Sequence, residues 1–209
     1  RSVFAGLPVL QNHTLVTDCA AVLPAQFDGQ IVKLKVGRDI DFEREWIKSF
    51  CSKPGLLRLD FNSSLQGPNF LKWLSAFSDQ ELKKIDYIED PCAFDLGIWE
   101  SALEKVQLAA DLEVAHESLR KSLVLIRKPT AIELVDPLEY KRVVFTHKMD
   151  HPFGARMAAF VASTFYHLLP EKKEICGLDP QGIFSATGFE NLEEGSGFGF
   201  DSALKKLKW

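Results

Sequence analysis

The chain has 209 residues, 46% of them hydrophobic and 26% charged, and carries a formal net charge of −4. That is enough apolar material for one large domain with its own core, and the slight acidity leaves no basic footprint for nucleic acid or an anionic membrane. No apolar run reaches the roughly 18–20 residues a membrane helix requires, and no charged-then-apolar leader opens the chain. The four cysteines, Cys19, Cys51, Cys92 and Cys176, lie far apart with no CxxC pair. Free thiols in a reduced, cytoplasmic protein are therefore expected. The first residue is Arg1 rather than Met, so further chain upstream is expected too.

Gly6–Leu15 reads as an opening extended segment, and Ile31–Val36 as the strand after it. Phe42, Trp46, Ile47 and Phe50 then recur at helical spacing and mark an apolar face. Leu56–Phe61 is the next strand, followed by a helix with Phe70, Leu71, Leu74 and Phe77 on its apolar face. Further strands are predicted at Asp86–Asp90, Gln107–Asp111, Leu123–Lys128 and Val143–Thr146. Met157, Phe160, Val161 and Phe165 mark a third amphipathic helix, and Ile175–Leu178 is the last strand. Strands separated by helices of this length pair in parallel through right-handed crossovers. Eight of them in about 200 residues suit a (β/α) barrel, with a doubly wound open sheet as the competing α/β answer. No Pro-, Gly- or Ser-rich linker divides residues 1–209, so one domain is expected. The Gly195-Ser196-Gly197-Phe198-Gly199 stretch looks like a nucleotide loop but precedes no strand–helix unit, and it reads as a turn.

The informative residues are the charged ones inside these strands. Side chains alternate between the two faces of a strand. Val32, Leu34 and Val36 therefore share one face, and Lys33 and Lys35 the other; Leu57, Leu59 and Phe61 are set against Arg58 and Asp60 in the same way. Glu89, Asp111 and Lys128 close the next three strands but for Asp90. If the apolar parity packs on helices, the charges point inward, near the carboxyl ends where barrel active sites form. Taken singly, each has a plain structural role: Glu89 or Asp111 as a helix cap, the lysines on a solvated edge, Arg58 and Asp60 as an ion pair. Taken as a set, burying them costs several kcal/mol per ion unless a cation offsets the charge. Carboxylate oxygens alone favour magnesium over zinc. His147 and His151 have the spacing of a helical metal pair, but Pro152 and Gly154 argue for a loop there.

These residues match a family. Lys33-Leu34-Lys35 resembles the KxK segment of the enolase superfamily, and Leu57-Arg58-Leu59-Asp60-Phe61-Asn62 its LRxDxN segment. Glu89-Asp90-Pro91 is similar to its acidic pair followed by proline, Asp111 falls where a third acid is expected, and Lys128-Pro129-Thr130 resembles its KP[ST]. The resemblance is to the muconate-lactonizing-enzyme-like subgroup and covers most of the chain. It implies a (β/α)7β TIM-type barrel as the C-terminal domain, with an N-terminal α+β capping domain missing from residues 1–209. It also implies that Asp60, Glu89 and Asp111 hold Mg2+, that Lys35 is the base, and that Lys128 is a second catalytic lysine across the barrel. Lys33 is implied as an assisting cation, since a neighbouring positive charge disfavours a charged amine. Arg58, Asn62, Thr146 and Gly177 are expected to orient these groups or touch a small carboxylate substrate. The family often writes a second acid directly after the third ligand; here Leu112 stands there and Glu113 follows.

The superfamily's shared step removes a proton alpha to a carboxylate, and a lysine base working beside magnesium is its established pattern. Dehydration, epimerisation, racemisation and cycloisomerisation all begin this way. Epimerases of the superfamily place a DxD-like pair after the eighth strand, whereas Gly177-Leu178-Asp179-Pro180-Gln181 offers only Asp179. A non-catalytic binding module is the reading from a different class, but it gives no reason for three carboxylates and the lysines at one rim.

Overall fold

The computed structural model describes residues 2–111, 116–130, 136–148, 152–179, 197–201 and 205. In chain order the elements are β1 (Thr14–Val16), β2 (Ile31–Lys35), α1 (Ile40–Cys51), β3 (Leu56–Asp60), α2 (Gly67–Leu74), α3 (Asp79–Leu82) and β4 (Ile85–Glu89). There follow α4 (Leu96–Leu103), β5 (Leu108–Ala110), α5 (Glu117–Arg120), β6 (Val124–Arg127), β7 (Arg142–Phe145) and α6 (Pro152–Leu168). Each strand neighbours the next in sequence, from β1 to β7, and the pairs from β1 through β6 are parallel. From β2 to β6 an α-helical crossover returns the chain to the same end of the sheet, which makes that order and direction follow from the alternation. The chain gathers into two compact units: 13–126 with 136–143, and 1–12 with 127–135 and 144–209.

In the first unit the apolar parity of each strand is buried as the alternation implies. Val32, Leu34, Leu57 and Leu59 have no exposed surface, and Trp46, Ile47 and Phe50 of α1 are buried. Phe61 sets its ring edge-on to Trp73 of α2, with ring centres 5.0 Å apart. Burying side chains of this size contributes roughly 1.5–3 kcal/mol each. Helix α1 starts where the Asp39 carboxylate accepts from the Phe42 N–H, and α3 where Ser78 and Glu81 cap one another. Two of the expected faces are corrected. Phe42 is exposed while its neighbour Glu43 is buried, because the Glu43 carboxylate is occupied by backbone N–H groups. In α2 it is Trp73 that reaches the core rather than the half-buried Leu71, and Phe77 lies beyond the helix end.

In the second unit α6 buries Ala155, Ala158, Ala162 and Tyr166, while Met157 and Val161 are exposed. The expected face is thus corrected in part: Phe160 and Phe165 are half-buried, with Phe165 edge-on to Phe145 at 5.3 Å, while the small alanines take the fully buried positions. Tyr166 stands edge-on to Phe145, ring centres 5.4 Å apart. Pro152 and Gly154 belong to the first turn of this helix rather than to a loop, as a proline at a helix start permits. The expected strand Ile175–Leu178 reduces to two single bridges, Cys176 to Asn12 and Gly177 to Thr146. Of Gly6–Leu15 only Thr14 and Leu15 are in a strand, since the Leu7 N–H closes a turn on the Phe4 carbonyl. Seven strands, not eight, are thus formed among the described residues. Gly197 bridges Ser2; Glu113, His151, Gly195 and Ser196 lie outside the described residues. All four cysteines are buried. Among the described residues no helix is long and apolar enough to cross a membrane.

Candidate active site

Three consecutive strands bring four of the expected groups together at their carboxyl ends. The register pairs Lys35 of β2 with Asp60 of β3, and Asp60 with Glu89 of β4. The Lys33 ammonium reaches up between the two acids, 3.0 Å from Asp60 Oδ2 and 2.6 Å from Glu89 Oε2. Lys35 Nζ donates to Asp60 Oδ2 at 3.0 Å, and a third of its side chain, 33%, stays exposed. Asp60 and Glu89 are 3% and 1% exposed. Neither acid caps the helix that follows, so the plain structural role weighed for Glu89 does not hold here.

The charges are partly balanced. Burial works against the charge on Lys33, but Glu89 and Asp60 outweigh it and keep the ammonium protonated. Burial also pushes the Asp60 carboxyl up, and the two lysines more than reverse this, holding it below the usual carboxylate range. Glu89 is pushed up, by burial first and by the carboxylates of Asp60 and Asp111 as well, and Lys33 offsets only part of this. Glu89 thus bears burial and two neighbouring carboxylates that Lys33 does not fully offset. A divalent cation would offset the remainder, and the donor set is all oxygen, so the residues fit magnesium. Among the described residues no three His, Cys, Asp or Glu side chains stand grouped so that they could hold a metal ion, so the fit is one of donor chemistry.

Asp111 follows β5 directly, and its N–H donates to Asp90 Oδ1 at 3.1 Å. Asp90 itself is buried and held at φ +39°, and Asn62 and Ser63, just past β3, are at φ +47° and +57°. Three non-glycine residues in the left-handed region at adjacent strand ends mark backbone that the surroundings over-determine. Their contacts show how: the Asn62 N–H donates to Asp60 Oδ1 at 3.2 Å, and the Ser63 N–H to the Asp90 carbonyl at 2.7 Å. Asp90 enters the sequence pattern only as part of Glu89-Asp90-Pro91, and nothing in its residue type announces that it braces Asp111.

Arg58 does not pair with Asp60. A register irregularity between Leu57 and Arg58 sets Arg58 opposite Tyr87, with the guanidinium carbon 5.0 Å from the ring centre. Its Nε donates to Asp86 at 2.8 Å, and its Nη1 lies 3.1 Å from His13 Nδ1, which must then accept. Arg142 also binds Asp86, at 2.8 Å. Burial pushes the Asp86 carboxyl up, but Arg142 and Arg58 hold it below the usual range. Asp86→Ala is expected to destabilise the fold by about 3–5 kcal/mol, because it removes the carboxylate shared by the buried Arg58 and the quarter-exposed Arg142. Denaturant unfolding at neutral pH measures this. The contribution is present above the ordinary carboxylate pKa and fades as the pH falls through the lowered folded value, so the difference from wild type should shrink in acid.

Lys128, Thr146 and Gly177 belong to the second unit. Lys128 follows the end of β6 as Asp111 follows that of β5. The Thr146 N–H donates to the Arg127 carbonyl at 2.9 Å, and its hydroxyl is buried with no hydrogen-bond partner among the described residues.

No family model matches the chain. A curated relative, the o-succinylbenzoate synthase of Bdellovibrio bacteriovorus, is 24% identical over 235 aligned positions, covering 100% of this chain and 71% of that protein. A dipeptide epimerase from Enterococcus faecalis has a similar solved structure, with a TM-score of 0.60, 20% identity, and coverage of 82% of this chain and 56% of that one. An o-succinylbenzoate synthase from Thermosynechococcus elongatus, with magnesium in its active site, gives a TM-score of 0.55 at 19% identity, covering 83% and 62%. The chain thus spans little more than half the length of these solved structures. The likeness shows an α/β barrel-type fold, and it supports the resemblance to the enolase superfamily.

Proposed function

We propose that this chain is the catalytic barrel of a cytoplasmic, magnesium-dependent o-succinylbenzoate synthase, whose capping domain lies outside residues 1–209. The reaction is the syn-dehydration of 2-succinyl-6-hydroxy-2,4-cyclohexadiene-1-carboxylate to o-succinylbenzoate, a step of menaquinone biosynthesis. The observation that carries this reading is the Lys35–Asp60–Glu89 register at one rim, with Lys33 between the acids. A relative of that activity, aligned along the whole chain, adds to it.

Asp60, Glu89 and Asp111 would hold the magnesium, which supplies positive charge beside the substrate carboxylate. Lys35, the more exposed lysine, takes the proton alpha to that carboxylate. It then returns the proton to the departing hydroxyl, so that one C–H and one C–O bond break, water leaves and the ring becomes aromatic. Lys128, by the resemblance, would be the second catalytic lysine, whose ammonium steadies the developing charge. Lys33 stays protonated, bridges the two acids and adds a fixed positive charge to the site.

The second reading is a dipeptide epimerase, favoured by the fold likeness to that enzyme; N-acylamino acid racemases and cycloisomerases share its chemistry. Asp179 standing alone where epimerases carry an acidic pair weighs against it. An ultraviolet assay with the cyclohexadiene substrate, run beside a panel of dipeptides, separates the two. Dehydration is expected, lost on chelation and restored by magnesium but not by zinc. Epimerised dipeptides without dehydration would install the second reading, and no turnover of either class would remove both.

A further inference from the structure

The buried glutamate at the start of α1 has a consequence for the base. Glu43 is 4% exposed, and its carboxylate accepts three consecutive backbone N–H groups: Gly37 at 2.7 Å, Arg38 at 3.0 Å and Asp39 at 3.2 Å. These three residues are the turn that leaves β2, beginning two positions after Lys35. A carboxylate taking three N–H bonds holds its partners more firmly than neutral acceptors do. The turn is also pressed from the other side. Gly37 sits at φ +105°, and a Cβ there would fall 2.0 Å from Ser64 Oγ, so only glycine lets the turn seat against the turn after β3. Between these anchors the Val36 N–H continues the ladder to the Asp60 carbonyl at 3.0 Å. Lys35 is thus the last strand residue before a segment fixed on two sides, and its ammonium needs that fixity, being a third exposed and tied at Nζ to Asp60.

We infer that Glu43 is a positioning residue for Lys35: by clamping the Gly37–Asp39 turn it fixes where the base presents its amine. This rests on the proposed proton abstraction. Displacing a reacting group by about 1 Å can cost up to about 10²-fold in rate, so a loosened turn should show in kcat rather than in KM. The glutamine variant keeps the size of the side chain but replaces one acceptor oxygen with a donor.

The test compares Glu43→Gln and Glu43→Asp with wild type in the full protein, using kcat, KM and amide hydrogen exchange at residues 37–39. Lys35→Ala serves as the reference for a lost base. Glu81→Ala, which removes an exposed cap on α3, serves as a control for general stability loss. For Glu43→Gln, kcat is expected to fall about tenfold with KM within about twofold, and exchange at 37–39 to quicken. Glu43→Asp, which keeps the charge, should recover part of kcat, and Glu81→Ala should keep all of it. Wild-type kcat in Glu43→Gln despite faster exchange would overturn the inference, as would an equal loss in Glu81→Ala. If Glu43→Gln does not fold, undiminished kcat in Glu43→Asp together with faster exchange overturns it instead. An active wild type with an inactive Lys35→Ala keeps the proposed function whatever Glu43 does; an inactive wild type removes that function and this inference with it.

Discussion

Lys35→Ala is expected to lower kcat by at least about 10³-fold while leaving the fold intact. General-base catalysis contributes about 10²–10⁴-fold, and nothing else in the Lys35–Asp60–Glu89 register can accept a proton from carbon as readily. Lys33 is fully engaged by two acids, so its amine is not available. Asp60 and Glu89 are buried and committed to cation contacts. The fold should survive because the Lys35 side chain is partly exposed and its partner Asp60 keeps Lys33. Steady-state kinetics beside a far-ultraviolet spectrum and a melting curve make the measurement. Undiminished turnover in a folded variant would sink the assignment of the base.

Lys33→Met should act mainly on stability. The methionine fills similar volume but leaves Asp60 and Glu89 without the ammonium that lies within 3.0 Å of both. Stranding buried charge in this way costs about 3–5 kcal/mol, and for a chain of this size Tm falls roughly 2–4 °C per kcal/mol. Magnesium should restore part of the loss, since a ligand at 100 times its Kd adds about 2.7 kcal/mol. Wild type should respond less, because Lys33 already neutralises part of the acids' charge. The pair of melting curves with chelator and with magnesium reads this without any activity assay. A variant as stable as wild type in chelator would show that the acids need no cation.

Much of the site was legible in the sequence because strand alternation is a local rule. It sets Lys33, Lys35 and Asp60 on the parity opposite the apolar side chains, with Glu89 near the close of the next strand, and these four ionic groups do meet. What failed were the choices that alternation and hydrophobicity do not govern. Hydrophobic spacing chose Phe42 over Glu43, since it scores apolar side chains and not the number of N–H groups a carboxylate can satisfy. It chose Met157 and Val161 over Ala155, Ala158 and Ala162, since it weights large apolar side chains above small ones. It offered Asp60 as the partner of Arg58, whereas the slip between Leu57 and Arg58 hands that guanidinium to Asp86 and His13.

The sequence by itself determined which residues carry charge into the strands, and on which side of each strand they lie. Only the tertiary structure decided which charge meets which, because pairing depends on the register between strands distant in the chain. Each such contact is made at a few ångströms, where a slip of one residue changes every partner.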